Sequence, residues 1–424
     1  MKIHGVGGPF GGLVTAEVWN VVAAPTGLLS ALPRERSYEE RPEYAFLTGF
    51  DATTGSRPTN KCGTCQVVGQ AKSCVVILPY GRMCYTSPSI TVEDVLMRVN
   101  RGEPDLTLIG KLVSDEVSDL LRRRIPDARV LEAGFALGMV AVVRAAVQNM
   151  MIQLWTGDPA SSTEAYAEPY GLERLLSTEY RDARTNTPCP DLNALRVSYD
   201  ASYDAVSGGS FRLVELLREV MAHLEDKAAK LGLAPAEFAI VANNTIWYRL
   251  ANLWSRAYIT SGVSSLPSGA TLFVDASGSN QLRDKMLSSG VLNVNGKDYS
   301  FIADSAAPVT VSDSTVTGSI YILPLRAAGR VTTYINYVDW TTFSDPNADW
   351  MNTIHTDDGF IQWYTTTNGP CFQVTGLIRW RPVTLPFLSA VITGVQAPAM
   401  AFPLVSGVPG TLGYSAGSGV SART

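Results

Sequence analysis

LEAGFALGMVAVVRAAVQNMMIQLW, residues Leu131 to Trp155, is the stretch on which the fold turns. Its polar marks Arg144, Gln148 and Asn149 share one side at spacing four to five, and apolar residues fill the rest. The spacing predicts one long helix that can be buried lengthwise, stopped by Gly157-Asp158-Pro159. Phe135, Met139, Val142, Ala146 and Met150 are expected to face inward. A membrane span is not expected. The uncharged run Ala133 to Val143 is 11 residues, against the roughly 20 a bilayer needs.

Upstream, LTLIGKLVSDEVSDLLRRR (Leu106 to Arg124) carries apolar residues at helical spacing and three Arg near its end, where cations suit the helix dipole. Before it, CVVILPYGRMCYTSPSITVEDVLMRV is interrupted at Pro79-Tyr80-Gly81 and Ser87-Pro88, as in a long β-hairpin or loop. The first 60 residues are rich in Gly, Pro and Thr and lack sustained periodicity. They read as an extended arm that must lie on something.

Downstream, Ser210 precedes the amphipathic run FRLVELLREVMAHLEDKAAKL, with Gly232 as its stop. A strand over Glu237 to Ala242 follows, then a helix capped by Asn243-Asn244. The remainder is β-rich. Asn295-Gly296 between two alternating runs signals a tight hairpin. GSIYILPLR (Gly318 to Arg326), VTTYINYVDW (Val331 to Trp340) and two strands in CFQVTGLIRWRPVTLPFLSAVITGV, divided by Pro382 and Pro386, complete the set. Helix, strand and helix in succession beside these strands predict an α+β layer fold.

The chain has 424 residues, 17 % charged, with 34 Lys plus Arg against 39 Asp plus Glu. Ordinary domains carry about 25 % charge, so much of this surface is expected to be covered by other subunits. A net charge of −5 argues against a dedicated nucleic-acid binder, which concentrates Lys and Arg. Only eight of the basic residues are Lys; Arg suits interface ion pairs. The amino terminus has no apolar core of signal-peptide length. A soluble chain folded in the cytosol is expected.

Cys62, Cys65, Cys74 and Cys84 fall within 23 residues as C-x2-C-x8-C-x9-C. Four thiolates could hold a tetrahedral zinc. Oxidised pairs and free thiols are the alternatives. Catalytic patterns are missing: GxSxG, HExxH and Walker-type loops do not occur. Of three His, His4 lies in the arm and His223 sits four residues from Glu219 on a helix. His355 precedes Asp357 and Asp358, most simply in a solvated turn. No catalytic residue and no cofactor other than that zinc is expected.

GSIYILPLR followed by Gly329 and VTTYINYVDW resembles the late strand pair of tailed-bacteriophage major capsid proteins of the Hong Kong 97 type. LPFLSAVITGVQAPAM resembles that family's final strand, and CGTCQVVGQAKSC with PYGR after it is similar to one subgroup. The chain has Val383-Thr384-Leu385-Pro386 where the subgroup carries Arg-Thr-Pro, with Arg379 and Arg381 close by.

The resemblance implies an N-terminal arm over 1–60 lying across a neighbour and an extended loop (E-loop) within 61–104. It also implies a peripheral domain over 105–209 with 131–155 as spine helix, and an axial domain over 210–340. Late strands over 341–400 would return to the peripheral domain, and 401–424 would be a tail. It further implies a virion shell of hexamers and pentamers around dsDNA, assembled in the host cytoplasm. The implied partners are portal, scaffold or decoration proteins and non-specific contact with the packaged DNA, without a membrane. An encapsulin-like shell around enzyme cargo and a zinc-dependent enzyme are the competing readings.

Overall fold

A computed structural model describes residues 3–5, 26–37, 43–50, 71–87, 89–91, 128–161, 167–199, 212–251, 288–312, 315–339, 354–356, 360–368 and 371–398. In chain order the elements begin β1 (Ile3–Gly5), α1 (Leu28–Ala31), β2 (Arg34–Ser37), β3 (Glu43–Phe50), β4 (Ala71–Ile77), β5 (Gly81–Thr86) and β6 (Ile90–Thr91). Next come α2 (Ala128–Thr156), α3 (Leu172–Leu175), β7 (Leu195–Ser198), α4 (Arg212–Lys230), β8 (Ala236–Ala242) and α5 (residues 244–251). The β-rich part comprises β9 (Val291–Val294), β10 (Lys297–Ala303), β11 (Val309–Val311), β12 (Thr315–Ala327), β13 (Arg330–Val331) and β14 (Tyr334–Val338). It closes with β15 (Ile354–Thr356), β16 (Gln362–Asn368), β17 (Cys371–Val383) and β18 (Ala390–Pro398). The expected helix over Leu106 to Arg124, residues 401–424, Cys62, Cys65 and Ser210 lie outside the described residues.

The chain divides into two units. The first draws on Met1–Tyr44, Ile77–Arg174 and Tyr334–Val383, the second on Ala45–Val76, Leu175–Thr333 and Thr384–Thr424.

In the first unit, β17 is the central strand of an eight-stranded sheet. β16 and β14 pair along one edge of β17, and β5 and β6 along the other. The long helix is α2, 29 residues, packed on β17 and β5. Val142, Val143, Ala146, Val147, Met150 and Leu154 are buried, whereas Arg144, Gln148 and Ile152 are exposed. Val142, Ala146 and Met150 thus face inward as the spacing predicts; the side chains of Phe135 and Met139 lie outside the description. The crossing is close because position 376 is glycine. A Cβ on Gly376 would sit 2.7 Å from Val142 Cγ1 and 2.9 Å from Trp363 Cζ3.

Parts of the expected arm and of the 61–104 stretch fall within the described residues. Residues 26–37 of the arm lie on their own unit. Leu28, Leu29 and Leu32 are buried, and β2 adds a parallel strand to β14. The three Leu give this stretch an apolar anchor on its own unit. Likewise β5 and β6, expected within the extended loop, belong to the sheet through β17, because Gly81 and Met83 alternate inward with Arg82 and Cys84 outward. Pro79-Tyr80 separates β5 from β4, which pairs with β3 instead.

The second unit is a mixed sheet in the order β7-β18-β12-β8-β10-β9, with β11 and β13 added to β12. α4 and α5 cover one face. Leu213, Leu217, Val220, Met221 and Leu224 of α4, with Ile246, Trp247 and Leu250 of α5, form one core with Phe238, Ile240, Ile320, Ile322 and Ile392. α4 ends in a Schellman motif. Gly232, at φ 69°, donates its N–H to Ala229 and Leu233 donates to Ala228 at 2.8 Å. Asn243 caps α5 by accepting the Thr245 N–H at 3.1 Å. Asn295 and Gly296, at φ 52° and 80°, turn β9 into β10 as a tight hairpin with two left-handed residues.

The run VTTYINYVDW is not one strand. β13 completes a short hairpin with β12, and β14 then joins the first unit's sheet. The break has a local cause. Pro324 lies at a register shift in β12, and the hydroxyls of Thr332 and Thr333 donate to its carbonyl at 2.6 and 2.5 Å. The last two strands also part. Pro382 stays inside β17, whereas Pro386 starts a 3-10 turn after which β18 runs antiparallel to β12 and parallel to β7 in the second unit. No helix among the described residues is long and apolar enough to cross a membrane.

Candidate functional site

Cysteine chemistry concentrates in the second unit. Cys74, 2 % exposed on β4, forms a disulfide with Cys189, with Cα atoms 6.3 Å apart and a sequence separation of 115. Spacing along the chain could not have pointed to Cys189, because only folding brings it to β4. The segment around it is a tight ribbon. Asp182 N–H donates to Thr187 and Cys189 N–H to Tyr180, with Asn186 turning the chain at φ 56°.

Asp182 fastens this ribbon to β4. Its Oδ2 accepts the Val75 N–H at 2.9 Å, and its Oδ1 accepts the N–H groups of Arg184 and Thr185, each at 2.9 Å, and the Thr185 hydroxyl at 3.1 Å. Ala183 N–H donates back to the Val75 carbonyl. The backbone N–H of Val75, then that of Thr185, hold the carboxyl down at about 2. The carboxylate and both sulfurs lie within 4.8 Å of one another. They open onto a cleft of about 420 Å³ lined also by Ser73, Thr185 and Asp191.

A pH prediction follows from that depression. Asp182 contributes stability above the ordinary carboxylate value of about 4, and the contribution is lost as pH falls toward about 2. Wild type is therefore expected to unfold at a higher temperature than Asp182→Asn at pH 5. The gap should close by about pH 2, read by thermal scans across that range.

The other candidates are dispersed. Cys84, on β5 of the first unit, is an exposed free thiol, and Cys371 is free at the start of β17. Cys62 and Cys65 lie outside the described residues; of the two expected zinc ligands that are described, Cys74 enters this site, bonded to a partner outside the expected set, and Cys84 does not. His4 and His355 stand opposite each other in the β1–β15 register, and His223 and Glu219 are both exposed on α4. Asp357 and Asp358 lie outside the described residues.

In the first unit a buried arginine organises the middle of the sheet. Arg381, 5 % exposed, donates from Nε to Asn336 Oδ1 at 3.1 Å and from its terminal NH to the Leu78 carbonyl at 2.6 Å. Its guanidinium lies 4.1 Å from the Tyr80 ring centroid, and Tyr80 O–H donates to the same Asn336 oxygen. Desolvation lowers its pKa from the ordinary arginine value. This arginine ties β17 to β14 and to the Leu78–Tyr80 segment within the first unit. Arg381→Met is expected to cost about 2–4 kcal/mol, since it leaves two buried acceptors short of a donor and removes the cation over Tyr80. Denaturant titration checks this.

No family model matches the chain, and no curated protein matches it. Among solved structures it is similar to the capsid asymmetric unit of cyanophage A-1(L), at 12 % identity over 90 % of this chain and 93 % of that one, TM-score 0.44. It is also similar to the capsid structure of cyanophage P-SCSP1u, at 10 % identity over 87 % and 88 %, TM-score 0.42. A third likeness is to an encapsulin complex from Synechococcus elongatus, at 12 % identity over 90 % and 88 %, TM-score 0.34.

Proposed function

We propose that this chain is the major capsid protein of a tailed bacteriophage, a structural subunit of the Hong Kong 97 type without turnover. It assembles as hexamers and pentamers into an icosahedral shell around dsDNA. The observation that carries the reading is the outer stripe of α2. Arg144, Gln148 and Ile152 follow one another at successive turns, all exposed, with Ile152 at 56 %, while the opposite side is buried on the sheet. An apolar side chain held out on a rigid helix suits a surface that a repeated neighbour covers.

The parts take roles on this reading. The first unit, with α2 as spine helix, is the peripheral domain, and the second, with α4 and α5, is the axial domain. The extended loop falls within 61–104, and the arm over 1–60 reaches a neighbour apart from β1 and residues 26–37, which pair or pack on their own unit. The mildly acidic balance of −5 lets packaged DNA slide along the wall without sticking. Portal, scaffold or decoration proteins are the remaining partners, and the mature protein resides in the virion after assembly in the host cytoplasm.

Electron microscopy and light scattering of the purified chain test this. Shells or capsomers are expected, with nuclease-protected nucleic acid when made in the phage's host. Removing residues 1–25 should block or misdirect closure while the body folds, because the anchoring Leu28, Leu29 and Leu32 remain. A stable monomer at high concentration would overturn the proposal. Shells filled with protein cargo and free of nucleic acid would favour the encapsulin-like alternative.

A further inference from the structure

The three side chains at the Cys74–Cys189 bridge are also a metal-ligand set. We propose that in the reduced chain Cys74, Cys189 and Asp182 hold a zinc ion, and that oxidation to the disulfide expels it. Tetrahedral zinc with thiolate and carboxylate ligands needs donor atoms about 3.5–3.8 Å apart, from bond lengths of about 2.3 Å to sulfur and 2.0–2.2 Å to oxygen. The two sulfurs and the carboxylate oxygen already lie within 4.8 Å of one another.

The ligand most in need of support has it. Among the described residues Asp182 Oδ1 takes three donors and Oδ2 takes the Val75 N–H alone, which leaves a lone pair on Oδ2 for a cation. The carboxylate is thus fixed before any metal arrives. The cleft beside Cys189 supplies an entry path and room for water as fourth ligand. Cys74 is buried while Cys189 is partly exposed, so oxidants reach the site from the Cys189 side.

The exchange balances. Two zinc-bound thiolates give two electrons to a small-molecule disulfide of the glutathione class. The protein S–S bond forms, both Zn–S bonds break, and the oxidant leaves as two thiols carrying two protons from solvent. Zn²⁺ is released, and reduction with fresh zinc reverses the step. β4 is thereby fastened to the 180–189 ribbon by metal under reducing conditions and by a covalent bond under oxidising ones. The inference rests on these side chains alone and holds whether or not the chain forms a shell.

The test uses the full chain, reduced with a phosphine under argon, incubated with zinc chloride, desalted and assayed for metal and thiols. Reduced wild type should retain about one zinc per chain more than oxidised wild type. Oxidised glutathione should release that zinc in step with the loss of two thiols, a readout that needs no variant. Cys189→Ser should abolish the redox-dependent zinc, and Asp182→Asn should weaken its binding at least tenfold. The cobalt form should show thiolate-to-cobalt charge transfer that Cys189→Ser removes. Equal zinc in the two redox states overturns the proposal. So does zinc that survives Cys189→Ser and Asp182→Asn but is lost in Cys65→Ser, which places the metal on the Cys62–Cys65 stretch.

Discussion

Val142→Asp is expected to yield insoluble or unfolded protein at temperatures where wild type is native. Val142 is 2 % exposed and lies over Gly376, where even one added carbon has no room. Water cannot follow the carboxylate into that contact, and the strands below offer β-ladder groups already paired with one another. Burying an unpaired charge costs several kcal/mol in order of magnitude, which is comparable to the roughly 5–15 kcal/mol that holds a domain folded. The control is Arg144→Ala, two residues away and exposed, expected within about 0.5 kcal/mol of wild type in folding and altered chiefly in assembly. Soluble yield and circular dichroism decide it. A Val142→Asp chain with native helix content would mean that this face of α2 is not the core of the first unit.

The second large effect is redox-dependent. Under oxidising conditions wild type is expected to exceed Cys189→Ser in stability by about 5 kcal/mol, the loop-entropy value for a closure of this length. The bridge closes a loop with a sequence separation of 115 residues. For folding units of roughly 150–250 residues, 1 kcal/mol moves the midpoint by about 2–4 °C, so the shift should be on the order of 10 °C. In metal-free reducing buffer the two proteins should unfold together. A gap that persists there would trace the effect to packing of Cys189 and not to the bridge.

Elements with strong local signals were legible from residues alone. α2, α4 with its Gly232 stop, β8, the Asn243 cap and the Asn295-Gly296 hairpin each announce themselves within a few residues, and each forms. Pairing was harder to read. β12 and β14 are separated in sequence only by the short β13, yet the Pro324 carbonyl and two threonine hydroxyls send them to different sheets. β17 and β18 part in the same way after Pro386. Strand partners depend on contacts between distant residues, which periodicity does not encode. The candidate site shows this most plainly. The cluster of cysteines drew attention to Cys74, but its partner Cys189 and the carboxylate of Asp182 come from over a hundred residues away. In the sequence, Thr187-Pro188-Cys189-Pro190 carries turn formers and no hint of a bond.

The position of β2 has a further consequence, for solubility. Among the described residues it closes one end of the first unit's sheet order, and there Arg34, Glu35 and Arg36 are all exposed. An open strand flank offers unpaired N–H and C=O groups on which another chain could crystallise into a ribbon of stacked sheets. Alternating full charges on this flank make such growth costly, because an incoming strand must strip water from three ionised groups at once. Sheet growth through this edge is therefore expected to be disfavoured.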